Sequence, residues 1–93
     1  MRQIEYSKAF KKDFKRQLKG RYKQELEEKL FTALESLICD QPLPIQYKDH
    51  ELIGNWRGFR ECHIWPDLLL IYRKIDSDVL QLARLGSHSN LFG

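Results

Sequence analysis

Apolar positions along this chain change their spacing several times, and each change marks a different element. Gln3-Ile4-Glu5-Tyr6 alternates polar with apolar residues, the two-residue period of a short strand. Ser7 then stands as an N-cap before Phe10, Phe14 and Leu18, whose spacing predicts a helix that Gly20 ends. Lys11, Lys12, Lys15 and Arg16 fall on its other side, so the aromatic stripe reads as core. A second helix is predicted over 22–38, with Tyr22, Leu26, Leu30, Ala33, Leu34, Leu37 and Ile38 on one face and Phe31 at the edge of the stripe. It stops before Asp40 because neither Pro42 nor Pro44 can continue a helix.

From Leu43 to Asn55 the pattern is irregular and polar, and a loop of this length in a small domain often contributes to function. Three strands follow, over 57–64, 68–75 and 79–85, joined by turns at Pro66-Asp67 and Asp76-Ser77-Asp78. Connections this short force an antiparallel meander. Strand, helix, helix and three strands (β-α-α-β-β-β) is an α+β pattern: two N-terminal helices packed on a small antiparallel sheet, with 1–93 as one domain. The tail over 86–93 is polar but carries Leu91 and Phe92, which suggests that it docks.

Composition agrees with a globular chain: of 93 residues, 42% are hydrophobic and 31% charged. No apolar run approaches the roughly 20 residues of a membrane span, and no apolar signal region opens the chain, so a cytoplasmic protein is expected. Two cysteines, Cys39 and Cys62, without a CxxC pattern fit free thiols better than a disulfide framework. Charge is more informative. Residues 1–23 hold nine Lys or Arg against Glu5 and Asp13, a stretch of +7 in a chain of net +3. A patch of one sign attracts polyanions, although basic helices are often only solvated faces.

The second half carries the candidate chemistry: His50 in the loop, His63 near the end of the first meander strand, Asp67 in the following turn, and His88 past the last strand. RNA supplies its own nucleophile, the 2′-OH. An enzyme need only take that proton and protonate the leaving 5′-oxygen, and histidine is suited to both tasks. Arg60 or Arg84 would steady the charge of the phosphorane, and Phe92 would stack on a splayed base. Spacing alone does not bring His63 and His88 together. That would take a twisted sheet and a tail that folds back. Arg60 and Arg84 have a simpler explanation as partners of Glu61 or Asp76, and Trp56 and Trp65 as core caps. A zinc site from His50, Cys62, His63 and His88 is disfavoured, since Cys62 and His63 point to opposite sides of a strand.

Several motifs keep their order along the chain: Tyr47-Lys48-Asp49-His50, Gly54-Asn55-Trp56-Arg57-Gly58-Phe59-Arg60, His63, Pro66-Asp67, Leu70-Ile71-Tyr72, Gly86-Ser87-His88 and Leu91-Phe92-Gly93. Together with Ile4-Glu5-Tyr6-Ser7 and the lysine-rich helix, they resemble the YafQ branch of the RelE-type toxins of bacterial toxin–antitoxin pairs. The resemblance implies a ribosome-dependent endoribonuclease that cuts mRNA at the A site without metal or other cofactor. It also implies a cognate antitoxin as partner, with operator DNA bound only through the toxin–antitoxin complex. The catalytic group it implies is His50, His63, Asp67 and His88, supported by Phe92, with Arg60 and Arg84 as candidate transition-state contacts; the basic surface of Lys11, Lys12, Lys15 and Arg16 is a candidate RNA contact by its charge. Leu68 stands where related sequences carry an aromatic, which bears on codon preference. A non-catalytic basic module that holds ribosomal RNA or a protein is the alternative, and a purely structural role is a third.

Overall fold

The computed structural model describes residues 1–20 and 23–93. Tyr22, expected on the face of the second helix, lies outside them. Five strands and three helices follow in the order β1 (Gln3–Tyr6), α1 (Lys8–Leu18), α2 (Leu26–Ile38), β2 (His50–Glu51), β3 (Arg60–Trp65), β4 (Leu68–Ile75), β5 (Val79–Gly86) and α3 (His88–Phe92). The sheet order is β1-β5-β4-β3-β2. Strands β3, β4 and β5 form the expected antiparallel meander. The sheet as a whole is mixed, because β1 pairs with β5 in parallel, Gln3 opposite Val79 and Tyr6 opposite Leu82.

Alternation along the strands divides the interior into two layers. Cys62 and Ile64, Leu68, Leu70 and Tyr72, and Leu80, Leu82 and Leu85 face the helices, meeting Phe10, Leu26, Leu30, Leu34 and Leu37. Leu69, Ile71, Ala83 and Leu91 form a smaller cluster on the opposite face, with Leu52, Trp56 and Phe59 against it. Each fully buried leucine contributes about 1.5–3 kcal/mol, so the helix-side layer dominates stability.

Two boundaries differ from the sequence expectation. Strand β3 starts at Arg60 instead of 57, because Gly58 adopts φ +92° and the Phe59 amide donates to the Trp56 carbonyl in a turn. Helix α2 starts at Leu26, its first buried residue, with Glu27 and Glu28 in its first turn complementing the helix dipole.

The loop between α2 and β3 is tied down by short elements, single 3-10 turns over Ile45–Tyr47 and Gly54–Trp56 and the strand β2. Where β1 ends, helix α1 takes over the edge of β5. The Ser7 amide donates to the Leu82 carbonyl (3.1 Å) and the Ser7 hydroxyl to the Ala83 carbonyl (2.7 Å). The Leu85 amide donates to the buried Asp13 carboxylate (2.9 Å). The backbone leading to the tail is thereby fixed up to its last strand residues.

Candidate active site

Cross-strand register assembles the site. On β3, Glu61 and His63 lie two residues apart and so share the face opposite the helices, while Cys62 between them is buried against the helices. Strand β2 pairs His50 directly opposite Glu61. The two histidines consequently converge on one acid: the Glu61 Oε2 lies 3.3 Å from His50 Nε2 and 3.8 Å from His63 Nε2. Their other ring nitrogens are also held. His50 Nδ1–H donates to the Lys48 carbonyl at 2.8 Å, and His63 Nδ1–H to the Pro66 carbonyl at 3.2 Å.

The tail supplies the third histidine. Strands β3 and β5 run parallel to each other with β4 between them, so both end at the same side of the sheet; Leu69 of β4 pairs with His63 on one side and Gly86 on the other. The meander itself therefore places His63 and the start of the tail at one level. No special twist is needed. After Gly86 the chain turns into α3, capped by Ser87, whose hydroxyl accepts from the Asn90 amide (3.1 Å), while Asn90 Oδ1 accepts from the Ser87 amide (3.2 Å). A Cβ at Gly86 would sit 3.2 Å from Asn90 Cβ and 3.3 Å from Leu91 Cδ2, so the absence of a side chain lets α3 fold onto the sheet. Leu91 is buried there, and His88 and Phe92, with ring centroids 5.0 Å apart, stay exposed beside it.

His50, Glu61, His88 and Phe92 line one cavity of about 530 Å³, walled by Leu52, Ile53, Trp56 and Leu91. Trp56 is braced edge-on by Phe59, over which Arg73 stacks at 4.7 Å. His63 reaches this group through Glu61, and Asp67 is an exposed residue of the turn that follows β3.

The two arginines are placed elsewhere. Arg60 lies on the helix-side register of β3, where its guanidinium donates to both oxygens of Asp49 (3.3 and 3.1 Å). Tyr72, its cross-strand partner, donates to Asp49 Oδ1 at 2.5 Å. Hydrogen bonding to Asp49 holds the Arg60 pKa above its usual value, and burial, reinforced by Asp49, raises that of Tyr72. Arg84 grips Asp13 with two hydrogen bonds (2.7 and 3.2 Å), which raise its pKa, and Arg16 adds a contact at 3.4 Å. Their acids are Asp49 and Asp13, not Glu61 and Asp76 as the sequence had offered.

Lys11 and Lys15 line a different and larger cavity of about 790 Å³ between α1 and α2, with Tyr6, Phe10, Phe14 and Phe31. The basic helix and the histidines thus belong to separate surfaces. Among the described residues no three His, Cys, Asp or Glu side chains are grouped as metal ligands, and the zinc set considered from sequence is split by the burial of Cys62 on the helix side.

Sequence reasoning missed Glu61 as the hub of the site, although the same two-residue period that separated Cys62 from His63 also placed Glu61 beside His63. Asp49 and Asp13 gave no local signal, since each meets its arginine only through the tertiary fold.

The family model described as the bacterial toxin of type II toxin–antitoxin systems, YafQ, matches residues 2–93. The mRNA interferase toxin YafQ of Escherichia coli K12 is 41% identical over 92 residues, 99% of this chain and 97% of that one. Among solved structures, the chain matched in the E. coli DinJ–YafQ complex is 41% identical with a TM-score of 0.85, covering 100% of both chains. A metal-bound toxin from Helicobacter pylori is 46% identical with a TM-score of 0.84, covering 99% of this chain and 100% of that one. The fold matches these proteins over nearly the whole length, and the chain belongs to the YafQ family of type II toxin–antitoxin toxins.

Proposed function

We propose that this toxin is an mRNA interferase that enters the ribosomal A site and cleaves the message by metal-independent acid–base chemistry. The observation that carries the reading is that His50 and His88, from separate elements, line one partly apolar pocket with Phe92 at its rim, while His63 meets His50 at the same Glu61 carboxylate. In the reaction, a histidine Nε2 takes the 2′-OH proton, the 2′-oxygen attacks phosphorus, and a second titratable group protonates the departing 5′-oxygen. The products are a 2′,3′-cyclic phosphate and a free 5′-OH. His50, His63, Asp67 and His88 form the catalytic group. Phe92 stacks on a base, as exposed aromatics beside RNA-cleaving groups can.

Lys11, Lys12, Lys15 and Arg16, on the helix side, supply contacts to ribosomal RNA, leaving the sheet side for the message. One feature of the site supports dependence on the ribosome. Both arginines are committed to carboxylates, so little remains to fix a free RNA in line for attack. A cognate antitoxin, as in the DinJ–YafQ complex of the relative, binds and silences the toxin, and operator DNA is engaged through that complex.

The test is in vitro translation of a defined message with mapping of 5′ ends, alongside a His88→Ala variant and a chelator. Discrete cuts that require ribosomes, survive chelation and disappear in the variant are expected. Cuts on free RNA of equal rate, or cuts unchanged by His88→Ala, would refute the proposal. Cleavage abolished by the chelator would refute its metal-independent part. The alternative, a non-catalytic basic module, makes the reverse prediction: charge reversal at Lys11 and Lys15 abolishes growth arrest, and the histidine variants retain it.

A further inference from the structure

Among the described residues Asp13 and Glu61 are the buried acids, and Glu61 alone lies on the histidine face. Its surroundings are fully specified by the sheet. His50 faces it from β2, His63 from the same strand, and apolar Ile71 is its partner on β4. His88 of α3 lines the same cavity. Of the neighbouring acids, Glu51 turns to Arg60 at 3.7 Å and Asp49 is held by Arg60 and Tyr72, while Asp67 is exposed in the turn beyond His63. Glu61 is therefore the carboxylate that both imidazoles meet.

The hydrogen bonds also fix which ring atom handles the proton. A backbone carbonyl can only accept, so the contacts from His50 Nδ1 to Lys48 and from His63 Nδ1 to Pro66 place an N–H on Nδ1 of both rings. Nε2 is then the atom that gains or releases a proton, and on both rings it is the atom beside Glu61. A ring that takes a proton there becomes an imidazolium next to a carboxylate shielded from water, where charge compensation is strongest.

Resting on the RNA-cleaving function proposed above, we propose that Glu61 is the positioning residue of the reaction. It compensates the imidazolium formed when the Nε2 of His50 or of His63 accepts the 2′-OH proton, and the Nε2–H so formed is the donor that fixes the ring against its carboxylate. The proton moves from the 2′-oxygen to Nε2 and stays there, Glu61 facing the same nitrogen and acting through its charge.

Two variants and two readouts test this. Glu61→Gln keeps the shape without the charge, and Glu61→Asp keeps the charge on a shorter stem. On ribosomes programmed with a defined message, Glu61→Gln should lower the single-turnover cleavage rate about 10- to 100-fold with unchanged half-saturating toxin concentration. The acid limb of its pH–rate profile should move to lower pH, because a ring without its carboxylate gives up its proton more readily. Glu61→Asp should recover at least part of the rate and restore the profile toward that of the wild type. In the ribosome-free protein, ¹⁵N resonances of the His50 and His63 rings should titrate at lower pH in Glu61→Gln than in the wild type or Glu61→Asp. A Glu61→Gln variant with wild-type rate and profile would overturn the inference, whether or not the ring titrations moved. Equal impairment in both variants with unmoved titrations would reduce Glu61 to a packing residue. Failure of the wild type to cut any message would instead refute the proposed function, and the ring titrations would separate that failure from a failure of Glu61 to act on the histidines.

Discussion

Removal of the Asp13 carboxylate is the most severe single perturbation that the polar contacts of this fold define. The side chain is 1% exposed and accepts three hydrogen bonds, two from Arg84 and one from the Leu85 amide. Asp13→Ala leaves the Leu85 N–H buried without a partner, which costs about 1–3 kcal/mol, and strands a partly buried guanidinium. Breaking a buried ion pair from one side typically costs about 3–5 kcal/mol. The Arg84 side chain is 26% exposed and can recover some hydration, so the lower end applies, about 3 kcal/mol in all. Asp13→Asn retains an acceptor for Leu85 and should cost about half as much.

Urea unfolding followed by far-UV circular dichroism measures this directly. With a slope of about 1.5 kcal/mol/M, Asp13→Ala should lower the midpoint by about 2 M. A cycle with Arg84→Ala gives the second check: if Arg84 acts on stability only through Asp13, the double variant should be no less stable than Asp13→Ala alone. A loss under about 1 kcal/mol for Asp13→Ala, or strictly additive losses in the cycle, would refute the account of Asp13 as the clamp on the β5 edge. The same cycle bears on Arg84 as a candidate RNA contact, because loss of toxicity in Arg84→Ala that tracks loss of folded protein assigns it to the scaffold.

Three further outcomes follow from the contacts. Tyr72→Phe removes one of the donors to Asp49, the residue before His50, and should cost about 1–2 kcal/mol in the same unfolding assay, with Arg60 still in place. Asp40, bonded by Lys74 and Arg2, has its pKa lowered from 3.8 to about 2. A depressed folded-state value gives stability that is present above pH 3.8 and lost as pH falls toward 2, so Asp40→Asn should lower stability slightly at neutral pH, where solvent screens the pair, match the wild type at the acid end, and flatten the limb between. Burial raises the Cys62 pKa and shields its thiol, whereas Cys39 is exposed; Ellman's reagent should titrate one thiol in the native protein and two in denaturant. Two rapidly reacting native thiols would contradict the burial of Cys62 between sheet and helices.

Most of the architecture was legible from hydrophobic period, because helices and meander strands are set by local pattern and short links. The first turn of α2 and the start of β3 were not, since helix onset depends on where burial begins and Gly58 reverses the chain inside an apparently continuous strand pattern. The parallel partnership of β1 was invisible for a related reason: nothing near Gln3–Tyr6 in sequence records that β5 has a vacant edge. Of the site, the histidines were identifiable by residue type, and the common level of His63 and the start of the tail by strand direction, once β3 and β5 are recognised as parallel next-nearest neighbours. The arginine partners required tertiary contacts 71 residues apart for Asp13 and Arg84, and 11 apart across a folded loop for Asp49 and Arg60.

Strand β3 shows why chemistry and stability can be altered separately here. Its residues alternate between layers: Arg60, Cys62 and Ile64 serve the helix side, Glu61 and His63 the histidine side. A substitution at 61 or 63 changes the pocket without opening the larger core, whereas one at 62 or 64 creates a cavity in it. Ile64→Ala should therefore cost about 2–5 kcal/mol, and His63→Ala, whose side chain is 22% exposed and bonded only through ring nitrogens, under about 1 kcal/mol. Toxicity should follow the opposite ranking once the destabilised variant is assayed below its melting temperature. If His63→Ala unfolded the protein as readily as Ile64→Ala, the two faces of β3 would not be separable, and loss of toxicity in a histidine variant would no longer report on catalysis.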